Sequence, residues 1–209
     1  MRRVRPPQAA GFTLVEAAVV LTVLAILVGV GVPSMSNWLL ARKAAAAAGF
    51  YKEGLMQARS QAVAHNSASR LVLLDNANGQ MDWRVDICFP TESLPCNDDS
   101  GAWSSTAAAA GADPAGSTGF RSLLRSAEGL PGNDTMALTI AQLGATEVYF
   151  TPLGWVDARI ATRVTRIGLA PGRRRTGAFK PVAVALTLGG IATICDPGAA
   201  AHSAKGCPP

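Results

Sequence analysis

One carboxylate, Glu16, lies at the edge of the longest uncharged stretch of this 209-residue chain. No charged residue occurs from Ala17 to Ala41, and residues 17–32 are almost wholly apolar. An ionised carboxylate in a membrane core costs about 2.5–3.5 kcal/mol on insertion scales, so it is usually retained for a function and with a partner. Glu16 is therefore expected to have a function and a partner.

Residues for catalysis or metal binding form no comparable constellation. The two histidines, His65 and His202, have no metal-ligand spacing between them. The sequence contains neither a G-x-S-x-G nucleophile elbow nor a glycine-rich phosphate loop. Two or three acids in an irregular loop, here Asp98, Asp99 and Asp134, do not indicate a calcium site. We therefore expect no enzymatic activity, no metal and no cofactor.

A run of arginines, Arg173, Arg174 and Arg175, follows Gly172. Three further basic residues are close in sequence: Arg163, Arg166 and Lys180. Clustered arginines contact phosphates without reading bases, which gives salt-sensitive and sequence-independent affinity for nucleic acid. The alternative is a solvated turn between two strands. The run therefore leaves two interpretations open, DNA binding and an exposed turn.

Basic residues at the start of the chain predict its orientation in a membrane. The net charge is +5, but without residues 1–11 sixteen basic residues face fourteen acidic ones, a net charge of +2. The leader arginines are Arg2, Arg3 and Arg5. From Phe12 to Val32 the chain is long enough to cross about 30 Å of hydrocarbon as a helix. The positive-inside rule keeps the N-terminus cytoplasmic, and the residues after Ser34 are expected in the periplasm.

Four cysteines in two close pairs indicate disulfides in an oxidising compartment. Their spacing lacks the C-x-x-C knuckles of zinc sites. Three connectivities are possible, and we favour Cys88–Cys96 and Cys195–Cys207 because each closes a short loop containing proline or glycine. Each bond is expected to stabilise the fold by about 2–3 kcal/mol. Four free thiols in a cytosolic protein, the alternative, would conflict with the predicted membrane span.

Beyond the span the helix is expected to continue to about His65. An apolar stripe recurs there at three- and four-residue steps. Its members are Leu40, Ala44, Ala47, Tyr51, Leu55, Ala58 and Ala62. The expected role of this stripe is to pack on the protein's own core, whereas the apolar half of the helix serves assembly. Trp38 lies just outside the span, where an aromatic interface anchor is expected.

After Asn66 the pattern favours strands, beginning with a β-hairpin around the turn 76–79. Strands are predicted at 69–74, 81–89, 136–140, 147–151, 159–169, 181–187 and 191–195. Residues 90–119 predict a long surface loop, in which Ala107–Ala110 form either a helical turn or a disordered stretch. One long helix followed by antiparallel strands gives an α+β domain.

The residues Gly11-Phe12-Thr13-Leu14-Val15-Glu16, followed by a long apolar helix, resemble the type III signal of type IV prepilins and type II secretion pseudopilins. The resemblance implies that a prepilin peptidase in the membrane cuts between Gly11 and Phe12 and methylates Phe12. Glu16 is then the fifth residue of the mature chain, and in this family that glutamate pairs with the amino-terminal amine of a neighbouring subunit. An uncleaved signal anchor is the alternative.

Later residues resemble the pseudopilin H / FimT (GspH/FimT) group of minor pilins. The helix ending 57–66, the run 148–154 and Trp83 are similar to that group, and so is the C-terminal tail with Cys195 and Cys207. Some FimT-like proteins bind DNA through a Gly-Arg-x-Arg motif near the C-terminus, which residues 172–175 satisfy. In the family the motif comes shortly before the terminal cysteine loop. In this chain residues 190–193 occupy that position, and they contain no arginine.

These observations predict an α+β type IV pilin fold, with a long helix packed on an antiparallel β-sheet. The expected segments are a leader (1–11), a transmembrane half-helix (12–33), a periplasmic amphipathic half-helix (34–66) and a β-rich domain (67–209). The resemblance implies a minor pilin or pseudopilin, a structural subunit anchored once in the inner membrane. Its expected partners are other pilins, contacted through the N-terminal helix, and prepilin peptidase. DNA binding during natural transformation and a plain single-pass membrane protein are the alternatives.

Overall fold

The computed structural model describes residues 11–200 and 203–208. They form one long helix, α1 (Leu14–Ala64), and eight strands in two four-stranded antiparallel sheets. This architecture confirms the predicted α+β class and is consistent with the type IV pilin fold, although the strands form two sheets where the sequence predicts one. The chain divides into two compact units, one ending at Leu39 and one beginning at Leu40. Three leader arginines and one histidine are outside the described residues: Arg2, Arg3, Arg5 and His202.

The second half of α1 buries the apolar stripe that the sequence predicts. All seven predicted members are buried: Leu40, Ala44, Ala47, Tyr51, Leu55, Ala58 and Ala62. Most of these side chains are small, so the helix can lie close to the strands. The contact is closest at Gly54, where a Cβ would lie 2.9 Å from side-chain atoms of both Leu71 and Trp83. Trp83 is among the largest fully buried side chains, and burying a large apolar group contributes about 1.5–3 kcal/mol.

The helix ends at Ala64 in a Schellman motif. Asn66 adopts a positive φ of 46°, which asparagine tolerates better than most residues. Its N–H donates to the Val63 carbonyl at 3.3 Å, and the Ser67 N–H donates to the Ala62 carbonyl at 3.1 Å. These bonds satisfy carbonyls that the helix itself leaves free, and they direct the chain into the first strand.

The strands are, in chain order, β1 (Ala68–Asp75), β2 (Met81–Cys88), β3 (Leu123–Arg125), β4 (Met136–Ile140), β5 (Glu147–Phe150), β6 (Arg166–Pro171), β7 (Val182–Leu186) and β8 (Ala192–Cys195). The first sheet has the order β3-β2-β1-β5, and the second has the order β4-β6-β7-β8. Inward side chains of both sheets, such as Val85 and Val184, share one core with the helix stripe. The β1–β2 hairpin is confirmed, and its turn uses Gly79 at a φ of 76°.

The predicted strand 159–169 is wrong in its first half, because β6 begins only at Arg166. The residues before it return to the first sheet instead. The Asp157 N–H donates to the Tyr149 carbonyl and the Val164 N–H donates to the Glu147 carbonyl, both at 2.8 Å. These bonds cover the outer edge of β5, a long-range pairing that local periodicity does not record.

The loop between β2 and β3 is ordered by pairing rather than by helix formation. Ser104 continues the edge of β2, since its N–H donates to the Ile87 carbonyl at 2.9 Å. Ala109 forms a β-bridge with Arg121, and Ala110 is buried. Both interpretations of Ala107–Ala110, a helical turn and a disordered stretch, are therefore wrong. Strand β3 was not predicted, because three residues are too few to show an alternation of apolar and polar side chains.

Candidate functional site

The start of α1 positions the residues that the sequence singles out for processing and assembly. Gly11, Phe12 and Thr13 precede the helix in non-helical backbone, and Phe12 is exposed. The Thr13 hydroxyl accepts a hydrogen bond from the Glu16 N–H at 3.2 Å, and the Thr13 carbonyl accepts one from the Ala17 N–H at 3.1 Å. Thr13 is therefore the N-cap residue of the helix, satisfying one of its four free N–H groups.

The cap places Glu16 in the first helical turn, on an exposed surface. The N-terminal end of a helix carries partial positive charge, so a carboxylate is favoured there by about 0.3–1 kcal/mol. This gain is smaller than the cost of about 2.5–3.5 kcal/mol for placing an ionised carboxylate in lipid. The helix end alone would therefore not compensate an ionised Glu16 placed in lipid.

The helix that follows Glu16 exposes apolar side chains on every side. It contains a window with a mean hydropathy of 2.5, none of which is buried in the described protein. It is the one helix among the described residues that is long and apolar enough to cross a membrane. The hydroxyl of Thr22 donates to the Ala18 carbonyl at 2.8 Å, so the helix satisfies this polar group itself. These properties are consistent with membrane anchoring, and Trp38 is exposed farther along the helix.

The arginine run forms an exposed 3₁₀ turn, Arg173–Arg175, between β6 and β7. Arg174 pairs with Asp134 at 3.3 Å, and both of these side chains are largely exposed. Among the described residues, neither Arg173 nor Arg175 has an ion pair. The turn thus presents two uncompensated cations to solvent, and an isolated pair such as Arg174–Asp134 contributes at most about 1 kcal/mol.

The two arginines that precede the turn in sequence do not enlarge this cluster. Arg166 lies at the opposite end of β6 from the turn, about 17 Å away at 3.3 Å per strand residue. Its Nη2 donates to the Pro208 carbonyl at 3.2 Å, and Arg163 donates to the Ile160 carbonyl at 2.6 Å. Proximity in sequence was misleading here because β6 is extended and carries its ends apart.

Both disulfides favoured by the sequence are present. Cys88 is bonded to Cys96 at the start of the long loop, and Cys195 is bonded to Cys207 across the C-terminal loop. The Cys195–Cys207 disulfide involves the last residue of β8. Next to it, the Asp196 N–H donates to the Lys205 carbonyl at 2.7 Å. The tail is thereby held beside the second sheet.

A cluster of ion pairs between β1 and β2 was not predicted. Asp86 is fully buried, and it accepts hydrogen bonds from Arg70 Nε at 2.9 Å and from Arg84 Nε at 2.8 Å. Arg70 and Asp86 are cross-strand partners. The sequence did carry one indication of this cluster. Arg84 and Asp86 alternate with apolar residues along β2, which is the pattern of side chains on the outward face of a strand.

The long loop and β5 complete this cluster around Arg70. The guanidinium of Arg70 lies 4.4 Å from the ring centroid of Trp103, in a cation–π contact. It also approaches Glu147 at 3.5 Å, and Glu147 accepts a hydrogen bond from the Tyr149 hydroxyl. Burial, with a further contribution from Glu147, raises the pKa of Tyr149 to about 12. The cluster therefore fastens the loop to the first sheet.

A cleft with a volume of about 520 Å³ lies between the first disulfide loop and the turn after β5. Its buried carboxylate, Asp157, pairs with Arg159 at 2.6 Å. Hydrogen bonding from Arg159 lowers the pKa of Asp157, so this group is ionised near neutral pH and is unsuited to donate a proton. His65 contacts the ring of Phe120 with a centroid separation of 5.3 Å. Among the described residues no three side chains form a possible metal cluster.

Residues 7–32 match the family model of the prokaryotic N-terminal methylation motif. The match includes Gly11, Phe12, Glu16 and the exposed apolar part of the helix, and it supports the pilin and pseudopilin class. It covers about an eighth of the chain and does not extend to the β-rich part. Comparison with curated proteins found no match, and comparison with solved structures found none.

Proposed function

We propose that this chain is a minor pilin or pseudopilin of the pseudopilin H / FimT type. In this role it is a non-catalytic subunit that primes or caps a type IV pilus or a type II secretion pseudopilus. One observation carries the proposal: an uncovered apolar helix starts directly after Gly11 and Phe12, and its first turn holds one carboxylate. The match to the methylation motif supports the same assignment.

The proposed mechanism uses a charge pair to favour the assembled state. Prepilin peptidase cuts between Gly11 and Phe12 and methylates Phe12, which leaves an amine at the start of the mature chain. A lone subunit then places both this amine and Glu16 at an unfavourable position in the membrane. When helices of neighbouring subunits pack side by side, the amine of one and the Glu16 carboxylate of another neutralise each other.

The orientation follows from the charges and the disulfides. Arg2, Arg3 and Arg5 favour a cytoplasmic N-terminus in the inner membrane. The β-rich part is then periplasmic, a compartment in which disulfides such as Cys88–Cys96 persist. The closed C-terminal tail and the buried Trp83 lie at positions that resemble the FimT group, which supports the finer assignment.

Mass spectrometry of the protein purified from its native host tests the first step. We expect a chain that begins at Phe12 and carries one added methyl group. An intact N-terminus would contradict the proposal and favour an uncleaved signal anchor.

Substitution of Glu16 tests the second step. Glu16→Ala and Glu16→Gln should both lose incorporation into filaments while still being cleaved, because neither supplies a negative charge. Val19→Ala, an uncharged change one turn farther along the same exposed surface, is the matched control and should assemble normally. Filament fractions probed for the subunit provide the measurement. Normal assembly of Glu16→Ala would refute the charge-pair mechanism.

DNA binding is a second candidate, favoured by Arg173 and Arg175, which are exposed and have no ion pair within residues 11–200 and 203–208. A mobility-shift titration of the detergent-solubilised chain at low salt tests it. The triple variant with Arg173, Arg174 and Arg175 changed to Ala should lose binding, and an Arg163→Ala control should retain it. The absence of any shift by the unaltered chain would exclude this function.

A further inference from the structure

The backbone on both sides of the proposed cut lies outside the helix and is uncovered. Residues 11–13 have non-helical backbone, and α1 begins directly after them. A Cβ built on Gly11 would meet nothing within 4 Å, and Phe12 is 83% exposed. Among the described residues, the first backbone bond of the helix runs from the Ala17 N–H to the Thr13 carbonyl. The carbonyls of Gly11 and Phe12 therefore take no part in the helical hydrogen-bond ladder.

One side chain fixes this boundary. The Thr13 hydroxyl accepts the Glu16 N–H at 3.2 Å, a bond that requires Thr13 to keep the non-helical conformation of an N-cap. An apolar residue in place of Thr13 could not supply the acceptor. Glycine ranks close to threonine as an N-cap, so Gly11 would then be the next favourable start of the helix. In that case the Gly11 carbonyl would accept the first helical bond, from the Val15 N–H.

Cleavage requires that the carbonyl carbon of Gly11 is open to attack. In the hydrolysis, the oxygen of a water molecule adds to that carbon and the bond to the Phe12 nitrogen breaks. The electron pair of this bond stays on the nitrogen, which takes a proton, and Gly11 leaves as a carboxylate.

A scissile bond inside a helix would first have to be unwound. Proteolysis of a folded segment follows the population of its open form when opening is fast. Opening a helix beside lipid is especially unfavourable, because no water replaces the lost backbone hydrogen bonds. A bond that is already outside the helix avoids this step.

We infer that Thr13 is a positioning residue for leader removal, because its cap starts the helix beyond Phe12 and keeps the Gly11–Phe12 bond in the non-helical form that prepilin peptidase binds; this inference rests on the proposed function. Loss of a threonine cap changes the equilibrium between the two helix starts by about fivefold. Since the competing caps have similar rank, the fraction of the non-helical form should fall by about twofold to fivefold. This fall should raise KM and leave kcat unchanged, because it lowers only the fraction of binding-competent substrate.

The rate of leader removal from the full-length precursor tests this role. The precursor is made in a host without prepilin peptidase, purified in detergent and mixed with membranes of the native host, and the loss of residues 1–11 is followed by mass spectrometry. Thr13→Val is compared with Thr13→Ser and Thr13→Asn, which keep an acceptor at the cap. Thr22→Val is the matched control, because it removes the same hydroxyl from a residue that bonds to the Ala18 carbonyl within the helix.

We expect Thr13→Val to raise KM by about twofold to fivefold at unchanged kcat. Thr13→Ser and Thr13→Asn should be cleaved at least as well as the unaltered chain, and Thr22→Val should be cleaved equally well. An unchanged KM for Thr13→Val, or an equal rise for Thr22→Val, would overturn the inference.

The ¹³C chemical shift of the Gly11 carbonyl in the same precursors separates conformation from direct recognition. It should move towards the helical value in Thr13→Val alone. Slower cleavage of Thr13→Val without this change would also overturn the inference, because the peptidase would then contact the hydroxyl itself. If the membranes cleave another prepilin of that host but leave the unaltered chain intact, the proposed function is refuted instead.

Discussion

Two glycines of α1, Gly49 and Gly54, should respond in opposite directions to the same substitution. Both lie within the helix, where replacing glycine by alanine ordinarily stabilises by about 1 kcal/mol. A Cβ at Gly49 meets nothing within 4 Å, so Gly49→Ala should gain that amount in full. A Cβ at Gly54 would lie 2.9 Å from atoms of Leu71 and Trp83, closer than carbon atoms normally approach.

The magnitude at Gly54 follows from the stiffness of its neighbours. Leu71 and Trp83 are both almost fully buried, so neither can move aside into solvent. Overpacking a core of this kind costs about 1–3 kcal/mol, which exceeds the gain in helix propensity of about 1 kcal/mol. We therefore expect Gly54→Ala to destabilise the fold by up to about 2 kcal/mol, and the two variants to differ by about 1–3 kcal/mol. For a chain of this size that difference corresponds to roughly 2–12 °C in Tm.

Thermal unfolding of the full chain in detergent, under non-reducing conditions, measures the difference. Near-ultraviolet circular dichroism of the buried Trp83 reports the loss of core packing, and the unaltered chain is the reference. A Tm that rises equally in Gly49→Ala and Gly54→Ala would refute the close approach of the helix to the first sheet. A fall in both would refute the open space at Gly49.

Three further predictions concern other parts of the β-rich unit. The two tyrosines, Tyr51 and Tyr149, each have a pKa raised chiefly by burial from 10.0 to about 12, so tyrosinate absorbance should stay low at pH 10. The free energy of unfolding should fall as pH rises from about 10 to about 12, because only the unfolded chain ionises its tyrosines in that range, and normal titration at pH 10 would contradict their burial. Asp86→Asn should lower the free energy of unfolding, measured with denaturant, by roughly 2–3 kcal/mol, because two arginines lose their buried charged acceptor. An unchanged denaturation midpoint would show that the cluster contributes nothing to stability. Gly190→Ala should lower the Tm, since it adds strain at a positive φ and a clash with the Gly154 carbonyl. The neighbouring change Gly189→Ala should be close to neutral, because its Cβ would make an ordinary contact with Thr187 Oγ1 at 3.8 Å.

Helix periodicity and β-propensity accounted for most of the secondary structure. All seven predicted members of the stripe from Leu40 to Ala62 are buried, because apolar residues at three- and four-residue steps share one face of a helix. Ala48, which is also buried, was not among them. The hairpin of β1 and β2 was predicted because Asn and Gly residues separate two apolar runs. Gly11, Phe12 and Glu16 were singled out from residue type and order along the chain, and they lie within the matched motif, residues 7–32. Their roles in processing and assembly stay predictions.

Contacts between residues distant in sequence could not be predicted in the same way. The return of Val164 to Glu147, which shortens β6, depends on where β5 lies in the sheet. The position of Trp103 over Arg70 depends on the path of a loop with no periodic signal. The contact between the turns at Gly154 and Gly190 was missed for the same reason. These turns lie far apart in sequence, and they meet through Arg59, the glycine backbones and the hydrogen bond from the Val156 N–H to the Leu188 carbonyl at 2.9 Å.

The N-cap of α1 has a consequence for maturation. Thr13, whose hydroxyl holds the first turn, lies on the retained side of the proposed cut between Gly11 and Phe12. Removal of the leader in the proposed processing would therefore leave in place the two hydrogen bonds that Thr13 accepts from Glu16 and Ala17. Cleavage at that point would alter the charge at this end of the chain without removing the cap of the helix.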